Sequence, residues 1–234
     1  MLLPHLREEV LEANLELVRR GLILYTFGNA SAISREDGLV VIKPSGIPYE
    51  GMKAADLVVT DLNGKIVDGL LRPSSDLPTH LVLYKVFLQI GGVAHTHSEY
   101  ATAWAQARRP IPCLGTTHAD YFRGSVPVTD SMTDAEIEQA YEENTGHAIA
   151  RAFKNIDPIE VPAVLVANHA PFTWGVTVTE AAQHAVILES VAKLAHLAIQ
   201  IHNEAPAAGR ALHDKHFLRK HGSSAYYGQP KDKS

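Results

Sequence analysis

Residues 91–100 read GGVAHTHSEY, and the two histidines one residue apart are the first chemistry the chain offers. On an extended strand side chains alternate between faces with period two, so His95 and His97 point the same way and can share one metal ion. The pair alone fits a simpler arrangement equally well, two histidines that each hold a separate hydrogen bond, because 13 histidines can place two together by chance. His169 supplies a third nitrogen. It stands where the apolar run PAVLVAN ends and a loop begins, which is where functional side chains gather on a rigid scaffold. Three neutral nitrogens suit zinc above all, with Mn2+ or Co2+ as substitutes, and leave a coordination position open to a reactant. Asp76, in PSSDLPTH, reads equally as an oxygen ligand beside them or as a plain helix N-cap.

A second group of segments is small and polar: GNAS at 28–31, KPSG at 43–46 and PSS at 73–75. Glycines that expose backbone N–H groups, hydroxyls, and a helix N-terminus after Ser75 together make a cradle for a phosphate dianion. Each segment taken singly is also ordinary turn and cap chemistry. No Walker loop and no G-x-G-x-x-G fingerprint occurs, so a nucleotide has no support.

These side chains need a scaffold of mixed helix and strand. Leu6, Val10, Ala13 and Leu17 recur at helical spacing with Gly21 after them, which predicts an opening amphipathic helix. GLVVIKPSG and DLVVTDLNGKIVDG predict short strands, the latter folding back at Asn63-Gly64 as an antiparallel hairpin. Ser75 or Asp76 is placed to cap a helix with Pro78 in its first turn. PAVLVANHAPFTWG predicts a buried strand running into a loop, a long helix follows Thr179, and DKHFLRKHG predicts a shorter one stopped by Gly222. The last residues, QPKDKS, are expected to fray.

Composition narrows the function classes. A chain of 234 residues that is 46% hydrophobic can bury a substantial core, and one domain spanning 1–234 with a tail at 223–234 is expected. Its formal net charge of −5 and lack of a Lys/Arg-rich block argue against nucleic acid. The apolar segment after Thr179 is interrupted by His184, Glu189 and Lys193, so no membrane span is expected. Cys113 has no partner for an internal disulfide, and MLLPHLREEV lacks the apolar centre of a signal peptide, so a cytoplasmic protein is expected.

The segments GNASA, IKPSGI, RPSSDLPTHLVLY, GGVAHTHS, TTHADYF, VTDSMTDAEI, NHAPFTWG and DKHFLRKHGSSAYYGQ follow one another in an order that resembles the L-ribulose-5-phosphate 4-epimerases. The resemblance covers essentially the whole chain. It extends to the wider class II aldolase/adducin family, whose L-fuculose-1-phosphate and L-rhamnulose-1-phosphate aldolases share the H-x-H and the later histidine. TTHADYF and the AYYGQ tail are the marks more specific to the epimerases.

The resemblance implies a three-layer α/β/α fold with a largely antiparallel central sheet between helices, assembled as a homotetramer with sites at subunit interfaces. It implies that His95, His97 and His169 bind the metal with Asp76 beside them. Gly28, Asn29, Ser45, Gly46, Ser74 and Ser75 become contacts to a phosphorylated pentulose, and Asp120 and Tyr227 an acid/base pair. Without the resemblance the last two read as a turn aspartate and an aromatic that pins the tail. The family commonly has glycine after the third histidine, where this chain has Ala170. A sugar-phosphate aldolase is the alternative activity, and a non-catalytic adducin-like module the alternative of another class; the intact histidine set argues against the module.

Overall fold

The computed structural model describes residues 1–222 and 224–228; residues 229–234, where fraying was expected, lie outside the described residues. The opening helix α1 (Pro4–Arg19) forms on the expected stripe, with Val10, Ala13 and Leu17 buried. The predicted strands become β2 (Leu39–Ile42), β3 (Val58–Asp61) and β4 (Ile66–Asp68), and the last two pair antiparallel across the Asn63-Gly64 turn.

Two readings need correction. The segment beginning GNAS is not only a polar turn: Asn29–Ser34 is strand β1, in the middle of the sheet and buried along most of its length. Asn29-Ala-Ser-Ala alternates, with Ala30 and Ala32 in one core layer and Ser31 against His80 and Tyr84 on the other face, but residues this small and polar read as turn chemistry rather than as a strand. PAVLVANHAPFTWG is a hairpin, β6 (Ala163–Leu165) and β7 (Pro171–Gly175), rather than one strand, and His169 sits in its turn.

The remaining elements are α2 (Leu77–Val86), β5 (Gly92–His95), α3 (Glu99–Gln106), α4 (Thr116–Ala119), α5 (Asp134–Ala152), α6 (Val178–Ile201) and α7 (Arg210–His221). Helix α5 starts on a capping box between Thr133 and Glu136 and leaves helical geometry at Ala140, where φ is −157° and ψ 69°.

The seven strands lie in the order β4-β3-β2-β1-β5-β7-β6, and every neighbouring pair is antiparallel. Period-two alternation divides their side chains between two helical layers. Ile33, Val40, Val93, Phe172 and Trp174 face Leu81 and Tyr84 of α2 and Ile149 of α5. Ala30, Ala32, Val41 and Ala94 face Val10 and Leu17 of α1 and Ala181, Ala182 and Ala185 of α6. This is the three-layer α/β/α architecture expected.

Helix α6 corrects the reading that no segment is long and apolar enough for a membrane, since its 24 residues reach a mean hydropathy of 1.2 over the span tested. In this fold one face of it packs into the core, and 28% of that span is buried. Ala181, Ala182, Ala185, Leu188 and Ala192 are buried, and the Glu189 carboxylate accepts the Tyr100 and Ala101 N–H groups at the start of α3.

Small residues let α6 approach the sheet closely. A Cβ at Gly92 would stand 2.3 Å from Val178 Cα and 2.4 Å from its nitrogen, closer than atoms can pack. Because the obstacle is backbone, α6 must shift as a unit. Gly92→Ala is therefore expected to destabilise the fold by about 1–3 kcal/mol, the usual cost of overpacking. Urea unfolding checks this, and an unchanged midpoint would contradict the close approach.

Candidate metal centre and cleft

Strand β5 carries His95 at its end, and its register sets the histidine opposite Asn29 of β1 on one side and Phe172 of β7 on the other. The Phe172 ring stacks on the His95 imidazole at 4.2 Å between centroids. His95 Nδ1 lies 2.9 Å from the Pro171 carbonyl, an acceptor only, so Nδ1 carries the hydrogen and Nε2 keeps the lone pair. That Nε2 is 3.1 Å from His97 Nε2. His169 is brought in by the β6–β7 turn, in which Asn168 takes a left-handed φ of 61° and donates its N–H to the Ala105 carbonyl at the end of α3.

The three imidazoles form a nearly regular triangle, with ring centroids 4.9, 5.0 and 5.1 Å apart. Each offers a nitrogen within 4.8 Å of the others. Two nitrogens bound tetrahedrally to zinc stand about 3.3 Å apart, close to the His95–His97 spacing. The donor set fits a divalent ion. Burial takes His97 and His169 down to about 4, aided by His95 for both and by His97 for His169, so both are neutral ligand forms near pH 7. Ala170 is fully buried and does not have the left-handed φ that would call for glycine, so the methyl group is accommodated in this turn.

Asp76 occupies the N-cap position of α2 without a capping hydrogen bond from its side chain. Its Oδ2 instead accepts the Asn29 amide at 2.7 Å, and the same amide donates to Ser74 Oγ at 3.1 Å. Burial works to raise this carboxyl, but His95, His80 and the Asn29 hydrogen bond outweigh it and hold it below its ordinary range. Asp76 is thus not a simple side-chain cap, and its carboxylate lies outside the group of three histidine nitrogens close enough to share one ion.

These groups line one cleft of about 430 Å³. Every expected metal and substrate residue lies on it: Gly28, Asn29, Ser45, Gly46, Ser74, Ser75, Asp76, His95, His97 and His169. The polar segments meet because their backbones are laced together, Ser45 N–H to the Arg72 carbonyl and Ser74 N–H to the Lys43 carbonyl, both at 2.9 Å. Gly28 has a φ of 90° and a Cβ there would meet the His95 carbonyl at 2.8 Å, so only glycine fits.

Sequence reasoning missed Lys43, Phe27, Tyr141 and Glu142, which also line the cleft. Lys43 was within reach as the lysine of KPSG. Its ammonium is buried, donates to the Pro44 carbonyl at 3.2 Å, and lies 4.6 Å from the centre of the Tyr49 ring; burial takes it down to about 8. Tyr141 and Glu142 follow the break in α5 at Ala140, and no local signal announces that break.

Asp120 and Tyr227 do not line this cleft. Asp120, at the end of α4, takes Arg219 Nε at 2.9 Å and the Arg219 Nη2 at 2.7 Å, with His216 Nδ1 3.1 Å away. Burial opposes ionisation there, but Arg219 and His216 outweigh it and hold the carboxyl below its ordinary range. The exposed Tyr227 ring lies 5.0 Å from the Arg219 guanidinium and 4.4 Å from Lys220 Nζ. One arginine therefore joins the two residues, away from the histidines.

His97→Ala is expected to lose most of its zinc affinity, since two imidazoles chelate far less well than three; full occupancy by metal analysis would contradict the shared site. The metal-free fold also has a pH signature. His97 and His169 titrate near 4 when folded, against an ordinary 6.5, so the unfolded chain binds more protons between these values. Stability must fall as pH drops from about 6.5 toward 4. Thermal melts of the metal-stripped protein check this, and a midpoint flat across that window would contradict it.

The comparisons with known proteins agree with this geometry. An L-fuculose 1-phosphate aldolase structure superposes with a TM-score of 0.76 at 29% identity, over 91% of this chain and 94% of that one. YgbL from Klebsiella pneumoniae gives 0.69 at 25%, over 90% and 97%. L-fuculose-1-phosphate aldolase from Thermus thermophilus, at 22% identity over 87% and 98%, shares the fold with a TM-score of 0.67. Residues 8–196, which include all three histidines, match the Class II Aldolase and Adducin N-terminal domain family, and the chain belongs to it.

Proposed function

We propose that the protein is a metal-dependent epimerase that interconverts L-ribulose 5-phosphate and D-xylulose 5-phosphate by breaking and remaking the C3–C4 bond. The observation that carries this reading is the joining of Asp120 and Tyr227 through Arg219, away from a cleft that already combines three histidines with a polar cradle. An epimerase needs two acid/base groups because O4 lies on opposite sides of C4 in substrate and product. One fixed side chain hardly reaches both positions at hydrogen-bond distance. In this reading the protein is a cytoplasmic homotetramer, and a neighbouring subunit brings the pair to the cleft.

The chemistry follows from where the carbonyl is. C4 is not adjacent to the C2 ketone, so its proton is not acidic and simple deprotonation cannot invert it. One group of the pair instead takes the O4 proton, O4 becomes an aldehyde oxygen, and the C3–C4 electron pair moves onto C3 and the C2 oxygen. A divalent ion held by His95, His97 and His169 supplies a Lewis acid for the oxygens on which that charge collects. Ser45, Ser74, Ser75 and the start of α2 hold the phosphate of the aldehyde fragment, with Lys43 close by. The aldehyde turns over about its anchored end, C3 adds to its other face, and the second group returns a proton to O4.

A class II sugar-phosphate aldolase is the second reading, favoured by the similarity to L-fuculose 1-phosphate aldolase. It would use the same cleft and release both fragments. Turnover of L-ribulose 5-phosphate without free aldehyde is expected; cleavage of L-fuculose 1-phosphate with release of aldehyde, and no epimerisation, would replace the reading. Tyr227→Phe is expected to keep its zinc content and slow epimerisation in both directions by about 10²–10⁴-fold, the usual weight of one acid/base group. Near-normal epimerisation in both Tyr227→Phe and Asp120→Asn would rule the two-group mechanism out. Unphosphorylated L-ribulose should react poorly, because each hydrogen bond to a charged group contributes about 1.5–3 kcal/mol; comparable kcat/KM with and without the phosphate would refute the cradle.

A further inference from the structure

His80 is fully buried on α2, four residues after Asp76, and the chemistry above makes no use of it. Its Nδ1 is 2.7 Å from Ser31 Oγ, which is 2.8 Å from the hydroxyl of Tyr84, also fully buried. Its Nε2 is buried with no hydrogen-bond partner among the described residues. With Tyr84 and Nδ1 both donating to Ser31, the Ser31 hydrogen and the Nε2 lone pair are stranded, and two other arrangements are open to this row of three groups. If Tyr84 donates to Ser31 and Ser31 to Nδ1, only the Nε2 hydrogen is left over. If Nδ1 donates to Ser31 and Ser31 to Tyr84, both the phenol hydrogen and the Nε2 lone pair are stranded. Every unmade hydrogen bond in an apolar interior is costly, so the arrangement that leaves only one group over prevails and Nε2 carries a hydrogen.

That hydrogen needs an acceptor. The ionisable groups close enough to act on the His80 ring are Asp76 and His95. His95 is committed through Nδ1 to the Pro171 carbonyl and through Nε2 to the histidine triangle. Asp76 is held by Asn29 on Oδ2, and positions four apart on a helix lie on the same face. We propose that His80 is a positioning residue whose Nε2–H steadies the Asp76 carboxylate as it turns from Asn29 toward the three histidines, with Ser31 and Tyr84 setting the tautomer. Carboxylates at metal sites are themselves hydrogen-bonded, and losing such a partner commonly costs about 10–100-fold in metal affinity or activity. This rests on reading Asp76 as a working carboxylate of the cleft, whichever reaction the cleft performs.

The test reads the tautomer directly, by long-range 1H–15N correlation on the full chain labelled with 15N-histidine. His80 is expected to be protonated on Nε2, and its Nε2–H resonance to move when Zn2+ is added to the metal-free protein but to stay in place in Asp76→Ala. Zinc titration supplies the second arm: His80→Gln, which restores an N–H donor near the Nε2 position, should stay within a few-fold of wild type, and His80→Leu should bind about 10–100-fold more weakly. Protonation on Nδ1, an Nε2–H shift on zinc addition that survives in Asp76→Ala, or equal affinity in His80→Leu would each overturn the proposal. The labelled wild-type spectrum decides the tautomer even if His80→Leu fails to fold. None of these measurements involves sugar turnover, so they stand apart from the choice between epimerase and aldolase.

Discussion

Of three imidazole nitrogens that all lie within 4.8 Å of one another, His95 Nε2 and His97 Nε2 are close enough at 3.1 Å to share one hydrogen, but only a cation uses all three lone pairs at once. Much of the surrounding structure serves that convergence. The β5–β7 register puts Phe172 under His95 and the Pro171 carbonyl at its Nδ1, the α3 end pins the turn that carries His169, and glycine at 28 lets β1 begin against the His95 carbonyl. The corners are a strand end, a position two residues beyond it and a hairpin turn; His95 is tied to backbone through Nδ1 and His169 through the turn that carries it, while His97 lies 5.8 Å from the Phe27 ring.

The start of α2 shows how stability is traded for function. A helix N-terminus leaves N–H groups without partners, and an aspartate at the N-cap ordinarily takes one of them. Asp76 takes the Asn29 amide instead, so its carboxylate stands in the cleft, while Ser74 takes the Leu77 N–H on its carbonyl and the Asp76 N–H on its hydroxyl, and Pro78 has none. The buried Lys43 carries the same character, since burial lowers an ammonium that an incoming dianion would restore to full charge.

Asp120 and Tyr227 obey a different logic. Asp120 is kept ionised by Arg219 and His216 at the junction of α4 and α7, and Tyr227 lies against the same arginine. The Arg219 guanidinium ties the Asp120 carboxylate by two hydrogen bonds and lies 5.0 Å from the exposed Tyr227 ring. The contrast with the histidines is one of packing: the triangle is built into the sheet, whereas the pair is built on two helices at its periphery.

The histidine spacing, the α1 stripe and the Asn63-Gly64 hairpin were legible in the sequence because each depends on neighbours within a few residues, where periodicity and turn chemistry act. The cradle segments were legible as types, and the resemblance supplied their common purpose. Only the tertiary structure decided that β1 lies at the centre of the sheet, because its small and polar residues have low strand propensity and read equally as a turn. It also decided that Asp76 gives up its capping bond, that the break at Ala140 carries Tyr141 and Glu142 to the cleft, and that Lys43 and His80 are buried. Local sequence determines which backbone a residue prefers; burial and partnership depend on groups dozens of positions away, as with the 47 residues between Asn29 and Asp76. That separation is why the residue types of the site could be read from the chain while their hydrogen bonds could not.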